Sequence, residues 1–272
     1  TDPRWRRNPG TFGEDPQLVA DLSKAYIDAF QTTDDKDLQI YEGWGRQSLN
    51  CMVKHWPAGG AGEGGRDAHF GTGKYAVYPG NNFQTHLIPF IDGAFKLQGG
   101  TEMASAVMPY YTISFGQDPT GENVANGFSK YIIQDLLRGK YSYEGVVCTD
   151  WGIVNDYVHV YKHGGKPWGV ETLSLAERRL KCFEAGVDQI GGASDNSLTL
   201  QAYELWKEKY GEENARERFN LSAVRLLTNI FRVGNFENPY VDPQVAQEIV
   251  GCQKFVAAGY EAQVKSIVMV KN

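Results

Sequence analysis

From Glu144 to Ile153 the chain reads Glu-Gly-Val-Val-Cys-Thr-Asp-Trp-Gly-Ile, a short β-branched run that stops at a carboxylate followed by tryptophan. Val146 to Thr149 reads as a fully buried strand, the kind found in parallel sheets whose faces are both covered by helices. In such folds the functional groups stand at the carboxyl ends of the strands, and Asp150 stands there. A residue in that place also serves simply to cap the following turn, so on its own it supports either role.

The remaining chain repeats the same unit. Asp15-Pro16 offers an N-cap and a first-turn proline, and Leu18, Val19, Leu22, Tyr26, Ala29 and Phe30 recur at helical spacing. Leu49 to Lys54 reads as a strand, followed by a glycine-rich loop up to Asn82 and a helix carrying Phe83, Leu87, Phe90 and Ile91. Ser105 to Tyr111 is the next strand and Asn126 to Arg138 the next helix. After Asp150 a second long loop leads to Ser174, spaced from Glu177 as in a capping box, and Gly186 to Ile190 reads as a fourth strand. Helical spacing returns from Leu221 through Val224, Leu227, Ile230 and Phe231, with Gly234 as a C-cap, and Ser266 to Val270 reads as an extended segment leaving the domain. Four central strands leave two α/β architectures: an open doubly wound sheet, or part of an eight-stranded barrel. The opening Thr1-Asp-Pro-Arg-Trp, without an initiator methionine, reads as the middle of a fold.

Charge and cysteine content narrow the function. A net charge of -6 and a pI near 5.4 argue against nucleic acid or an anionic membrane as partner, since both need a basic face. No apolar run is long enough for a transmembrane helix. Cys51, Cys148, Cys182 and Cys252 are far apart and form no Cys-x-x-Cys pair, which indicates neither zinc nor a disulfide framework. His159 and His163 have i, i+4 spacing, but the glutamate of the zinc-protease helix is missing and Gly164-Gly165 disfavours a helix. No metal and no cofactor are expected.

The strand ends supply Lys54-His55, Tyr111, Asp150-Trp151 and Asp188, one βα unit apart, which makes a shared mouth the economical reading. In the competing reading Lys54 and His55 pair with neighbouring acids as a satisfied structural network, and Asp188 is the member best suited to that. An exposed indole beside an acid suits a sugar, because the ring stacks on C–H groups while the carboxylate works at the anomeric carbon. The many aromatic residues are compatible with carbohydrate binding, although large cores use aromatics too.

In order along the chain, Arg4-Trp-Arg-Arg7-Asn-Pro-Gly-Thr-Phe12-Gly-Glu-Asp-Pro16, Val53-Lys54-His55, Ala106-Val-Met-Pro-Tyr-Tyr111, Val147-Cys-Thr-Asp150-Trp151-Gly and Asn235-Phe-Glu-Asn-Pro-Tyr240 resemble glycoside hydrolase family 3. The resemblance implies a (β/α)8 TIM-like barrel, partial here and normally followed by an α/β sandwich domain. Residues 1–255 would form the partial catalytic barrel and 256–272 a connection toward the second domain, which would be a partner together with the earlier strands. By the same resemblance Asp150 matches the nucleophile, Trp151 the aromatic wall of the first sugar subsite, and Tyr111 the tyrosine near the nucleophile. Lys54, His55 and Arg7 match the groups that hold sugar hydroxyls. Two departures stand out: Gly10 replaces the usual glutamate three residues after the arginine, and the loop after His55 is longer than the Lys-His-x-Pro-Gly loop of the N-acetylglucosaminidase branch.

That branch ends its loop in Asp-x-His, with the histidine as acid/base; here the match is Asp67-Ala68-His69. The longer loop, with Gly64-Gly65-Arg66-Asp67 and Tyr78-Pro79-Gly80, resembles more closely a subgroup with β-glucosidase or β-xylosidase activity, in which Arg66 and Asp67 would bind sugar or shape the mouth. In β-glucosidase-like members the acid/base is a glutamate of the second domain. The expectation is therefore a retaining, exo-acting β-glucosidase acting on β-linked oligosaccharides or glycosides. A β-xylosidase, a β-N-acetylglucosaminidase with His69 as acid/base, and a non-catalytic sugar-binding member are the alternatives. A periplasmic or secreted location is expected over a cytoplasmic one.

Overall fold

The computed structural model describes residues 1–162 and 164–271, and divides into two compact units, Thr1–Val233 and Gly234–Asn272. His163, half of the spaced histidine pair, lies outside the described residues.

In the first unit, helix α1 (Pro16–Gln31) starts where Asp15 accepts the Leu18 N–H at 2.7 Å and Pro16 supplies the preset first turn. It packs through Ala20, Ile27 and Gln31, while the larger Leu18, Leu22, Tyr26 and Phe30 stay exposed. The small face wins because backbone meets backbone there: a Cβ on Gly93 would lie 2.8 Å from the Ala20 carbonyl oxygen. Strands β1 (Thr33–Asp35) and β2 (Ile40–Gly43) form an antiparallel pair that the sequence reading does not contain.

Strand β3 (Met52–Trp56) begins later than the expected Leu49, because the preceding N–H groups are taken elsewhere. Leu49 N–H donates to Phe30 O at 2.8 Å, and Cys51 N–H donates to the buried Gln31 side chain at 3.2 Å. Next come β4 (Tyr75–Ala76) and α2 (Phe83–Ile88), which continues as a π-helical turn over Pro89–Ala94. Then follow β5 (Ala106–Pro109), β6 (Ile113–Ser114), a π-helical segment (Tyr131–Lys140), β7 (Val146–Val147) and α3 (Leu175–Ala185). The capping box at the start of α3 is complete: Ser174 N–H donates to Glu177 Oε2 at 2.8 Å and Glu177 N–H to Ser174 Oγ at 3.3 Å. Gly186, at φ +105, ends the helix in the left-handed region open to glycine. Helix α4 (Ser197–Tyr210), unassigned from sequence, and α5 (Glu212–Phe231) complete this unit.

The central sheet is parallel with order β3-β5-β7, and the expected fourth strand reduces to a parallel bridge between Cys148 and Gln189. Pairing runs Met52↔Ala106↔Val146 and Val53↔Val107↔Val147, then shifts between Lys54 and Trp56. Val107, Val147, Phe128, Ile133, Leu137 and Trp56 fill the core beside the sheet, and the Trp56 indole N–H is satisfied by the Ile132 carbonyl at 3.0 Å. The register brings the ends of three strands to one place.

The second unit holds α6 (Pro243–Ile249), capped by Asp242, and α7 (Gln253–Ser266). The boundary at residue 255 drawn from sequence falls inside α7. Among the described residues no helix is long and apolar enough to cross a membrane.

Candidate active site

Asp150 follows β7 and is 5% exposed. Its Oδ1 accepts the Trp151 N–H at 2.7 Å, and its Oδ2 lies 3.2 Å from Nε2 of the equally buried His55, near the end of β3. Neither Oδ2 nor Nε2 has a hydrogen-bond partner among the described residues besides this contact. The pair stands beside a cavity of about 630 Å³ lined by Lys54, His69, Met108, Tyr111, Asp150, Trp151 and Asn155 among others. A buried carboxylate oxygen left open to a cavity is available to a ligand.

The electrostatics keep this pair in complementary states. Burial holds the His55 imidazole well below the ordinary histidine range, at about 4, despite the pull of Asp150, so the ring is neutral at neutral pH. Burial acts on Asp150 in the opposite sense, but the contact with His55 and the Trp151 N–H outweigh it and leave the carboxyl below its ordinary value. Asp150 is thus ionised beside a neutral imidazole. Tyr111 donates its hydroxyl to the Trp151 carbonyl at 2.6 Å, and burial together with the Asp150 charge pushes that hydroxyl upward, so it remains a donor.

The Trp151 indole is 54% exposed. A Cβ on Gly192, which has φ +69, would lie 2.8 Å from its Cδ1, so this glycine leaves room for the ring. Gly191-Gly192 was a readable signal in the sequence, a close approach after a strand, that spacing alone did not attach to the tryptophan.

A second arm is built from the loop after β3. His69 Nδ1 lies 2.7 Å from Asp67 Oδ1, which also accepts the His69 backbone N–H at 3.0 Å and the Tyr110 hydroxyl at 3.2 Å. Burial opposes ionisation of Asp67, but these donors override it and hold the carboxyl at about 2. Arg7 Nη1 approaches the same imidazole, 2.8 Å from Nε2 and 3.1 Å from Nδ1. The Tyr110 ring stacks on His55 with centroids 4.1 Å apart and planes 22° apart, so one side chain touches both arms. The sequence reading missed Tyr110: of two adjacent tyrosines at a strand end, alternation sends only one toward the mouth.

Lys54, His55, Tyr111, Asp150 and Trp151 therefore share one neighbourhood, and Arg7, Asp67 and His69 meet beside it. Arg66 stands apart, paired with Glu63 at 3.0 Å on the surface. Asp188 is absorbed by structure: it accepts from Arg138, the Val147 N–H, Ser222 and Arg225. His159 accepts the Tyr161 N–H at 3.2 Å in an exposed turn. One ligand atom each from His55, His69 and Asp150 lie within 4.8 Å of one another, a donor set open to a metal ion. The Arg7 guanidinium against His69 opposes a second cation there.

Residues 1–228 match the family model described as Glycosyl hydrolase family 3 N terminal domain. The whole chain is 40% identical over 273 residues to a probable beta-glucosidase C of Aspergillus flavus, of which it covers 39%. It is 38% identical over 285 residues to a periplasmic beta-glucosidase/beta-xylosidase of Dickeya chrysanthemi, again across the whole chain and 41% of that protein. The chain thus spans about two fifths of the length of these relatives. Among solved structures, a β-glucosidase from Erythrobacter marinus superposes with a TM-score of 0.64 at 25% identity, over 93% of this chain and 29% of that one. A β-glucosidase from Listeria innocua in complex with isofagomine gives 0.60 at 23% identity, over 88% of this chain and 28% of that one, a likeness of fold. The parallel strands and their helices are part of a TIM-like barrel. With its family model matched over residues 1–228, the chain belongs to glycosyl hydrolase family 3.

Proposed function

We propose that this chain carries the nucleophile and the sugar-binding side of a retaining, exo-acting β-glucosidase, with Asp150 as nucleophile. The observation that carries the reading is the open Asp150 Oδ2, ionised and buried at a strand end, beside an exposed indole. In the first step Oδ2 attacks the anomeric carbon, the bond to the leaving oxygen breaks, and that oxygen takes a proton from an acid. Water then hydrolyses the glycosyl-Asp ester, with the same group accepting its proton. Lys54 and Arg7 hold sugar hydroxyls, Trp151 covers a ring face, and Tyr111 fixes the Trp151 backbone beside the carboxylate.

Asp67 does not fill the acid role, because a carboxyl held at about 2 has no proton to give at neutral pH. The acid belongs to another segment of the protein. Identity to β-glucosidases across the entire chain supports a glucosyl substrate, with xylosyl as the neighbouring choice given the Dickeya relative. The name of that relative also supports a periplasmic or secreted setting.

A second reading makes His69 the acid/base of an N-acetylglucosaminidase, and the His69–Asp67 contact at 2.7 Å is what favours it. Against it stands the Arg7 guanidinium, 2.8 Å from Nε2, which occupies the ring nitrogen that such an acid would turn toward the leaving oxygen.

The test is chemical rescue. Asp150→Gly in the full chain is expected to lose turnover of 4-nitrophenyl β-glucoside and to regain it with azide, which enters from the vacated face and yields the α-glucosyl azide. A β-configured azide product, or turnover that survives the substitution, contradicts Asp150 as nucleophile.

A further inference from the structure

Tyr110 is 1% exposed and contacts both arms of the site through different parts of one side chain. Its ring lies on His55, which faces Asp150, and its hydroxyl donates to Asp67, which holds His69 against Arg7. A buried phenol needs a polar partner for its hydroxyl, and Asp67 Oδ1 provides it. Burial and the Asp67 charge push the hydroxyl upward, so it keeps its proton and remains a donor. The neighbouring Tyr111 donates its hydroxyl to the Trp151 carbonyl and meets the His69 ring edge-on at 5.5 Å, but among the described residues it neither lies on His55 nor bonds Asp67.

We propose that Tyr110 is a positioning residue that ties the Asp150–His55 arm to the Asp67–His69–Arg7 arm, fixing the attacking carboxylate relative to the guanidinium that holds the sugar. The proposal rests on reading the cavity as a glycosyl site. The two contacts are chemically separable. The hydroxyl restrains Asp67 at 3.2 Å and lies equally near His69 Nδ1, at 3.2 Å, so it holds the imidazole behind Arg7 both directly and through the carboxylate. The ring face restrains the plane of His55, and through it the environment of Asp150 Oδ2.

Two substitutions in the full chain separate them, read by 4-nitrophenyl β-glucoside kinetics and by NMR of the histidine rings. Tyr110→Phe keeps the stack and removes the hydroxyl. It is expected to raise KM about tenfold, the scale of one hydrogen bond to a charged group, with kcat within about twofold. The His69 ring resonances shift and those of His55 do not. Tyr110→Leu removes both contacts, and kcat falls by about a further tenfold as His55 loses its plane, with both rings shifting. A Phe variant with unchanged KM and unchanged His69 resonances overturns the proposal. So does a loss of activity in either variant that tracks only the folded fraction, with kcat alone reduced and KM constant. If the unaltered protein hydrolyses no β-glycoside, the glycosidase reading fails, and the ring resonances still decide whether Tyr110 couples the arms.

Discussion

Asp150 and Asp188 are both buried aspartates beside β7, and they are treated in opposite ways. Asp188 has each oxygen occupied: Oδ2 takes Arg138 at 2.5 Å and the Val147 N–H at 3.0 Å, while Oδ1 takes Ser222 at 2.9 Å and Arg225 at 3.3 Å. Arg218 adds a third guanidinium at 3.7 Å. Asp150 has one backbone donor, a neutral imidazole and the Tyr111 hydroxyl as a further neutral neighbour, with no charged donor on Oδ2 among the described residues. A carboxylate that secures the fold is saturated with charged donors; one that reacts keeps a lone pair available and an environment that leaves it ionised. On the proposed function, this difference is what separates the structural acid, Asp188, from the chemical one, Asp150.

The contrast breaks most visibly under matched substitutions. Asp150→Asn is expected to lower kcat/KM by ~10⁴-fold or more, the scale on which removal of a covalent nucleophile acts, while stability falls only modestly, by about 1 kcal/mol, with the loss of the stabilised carboxylate. Asp188→Asn is expected to do the reverse, costing about 3–5 kcal/mol of stability because it leaves buried guanidinium groups without their counter-charge. Urea titration and kinetics on both variants check this; a strongly destabilised Asp150→Asn or a stable Asp188→Asn removes the distinction.

The next test concerns His69. His69→Ala is expected to lower kcat/KM roughly 10- to 100-fold, as a lost charge-assisted contact does, equally for 4-nitrophenyl and alkyl β-glucosides. A loss confined to the poor alkyl leaving groups, with β-glucosyl azide formed in added azide, makes His69 the acid and revives the N-acetylglucosaminidase reading.

A pH titration sharpens the electrostatic half of the comparison. His55 is depressed to about 4 in the folded protein, so between its unfolded value near 6.5 and that pH the unfolded chain binds the extra proton, and stability falls as the solution is acidified. Asp150 and Asp67 are also depressed; their stabilisation is present above about 4 and is lost as pH falls through their folded values, for Asp67 about 2. The acid limb of kcat/KM is accordingly expected near pH 4 or below. A limb near 6.5, with the His55 ring titrating there by NMR, means that the imidazole is not held neutral. At the small end, Arg66→Ala is expected to change activity less than about twofold and stability by about 0–1 kcal/mol, as for exposed ion pairs, since Arg66 and Glu63 are both about half exposed.

How legible this was depended on whether the signal was local. The apolar runs ending in Lys54-His55, Tyr111 and Asp150-Trp151 could be read because a short buried strand and its polar end are adjacent in sequence. The α1 N-cap and the Ser174–Glu177 box could be read because capping reaches three residues. Tyr110 could not, because its role arises from the stack on His55 and the bond to Asp67, contacts made across 55 and 43 residues. The late start of β3 depends on Gln31 and Phe30, likewise remote in sequence. The strand drawn over Gly186–Ile190 became one bridge, with the Asp188 and Gln189 N–H groups both directed to the Val147 carbonyl. Arg66 was placed at the mouth by resemblance, but a partner three residues away, Glu63, takes it at the surface.

The central claim is that Asp150 is the carboxylate kept for chemistry, and covalent trapping tests it most directly. The full chain would be treated with a 2-deoxy-2-fluoro-β-glucoside bearing an activated leaving group, which reduces dependence on the acid, and digested for peptide mass mapping. The expected result is a fluoroglucosyl adduct on the peptide containing Asp150, absent in Asp150→Asn. An adduct on another residue, or none in a folded protein shown to bind the sugar, would contradict it.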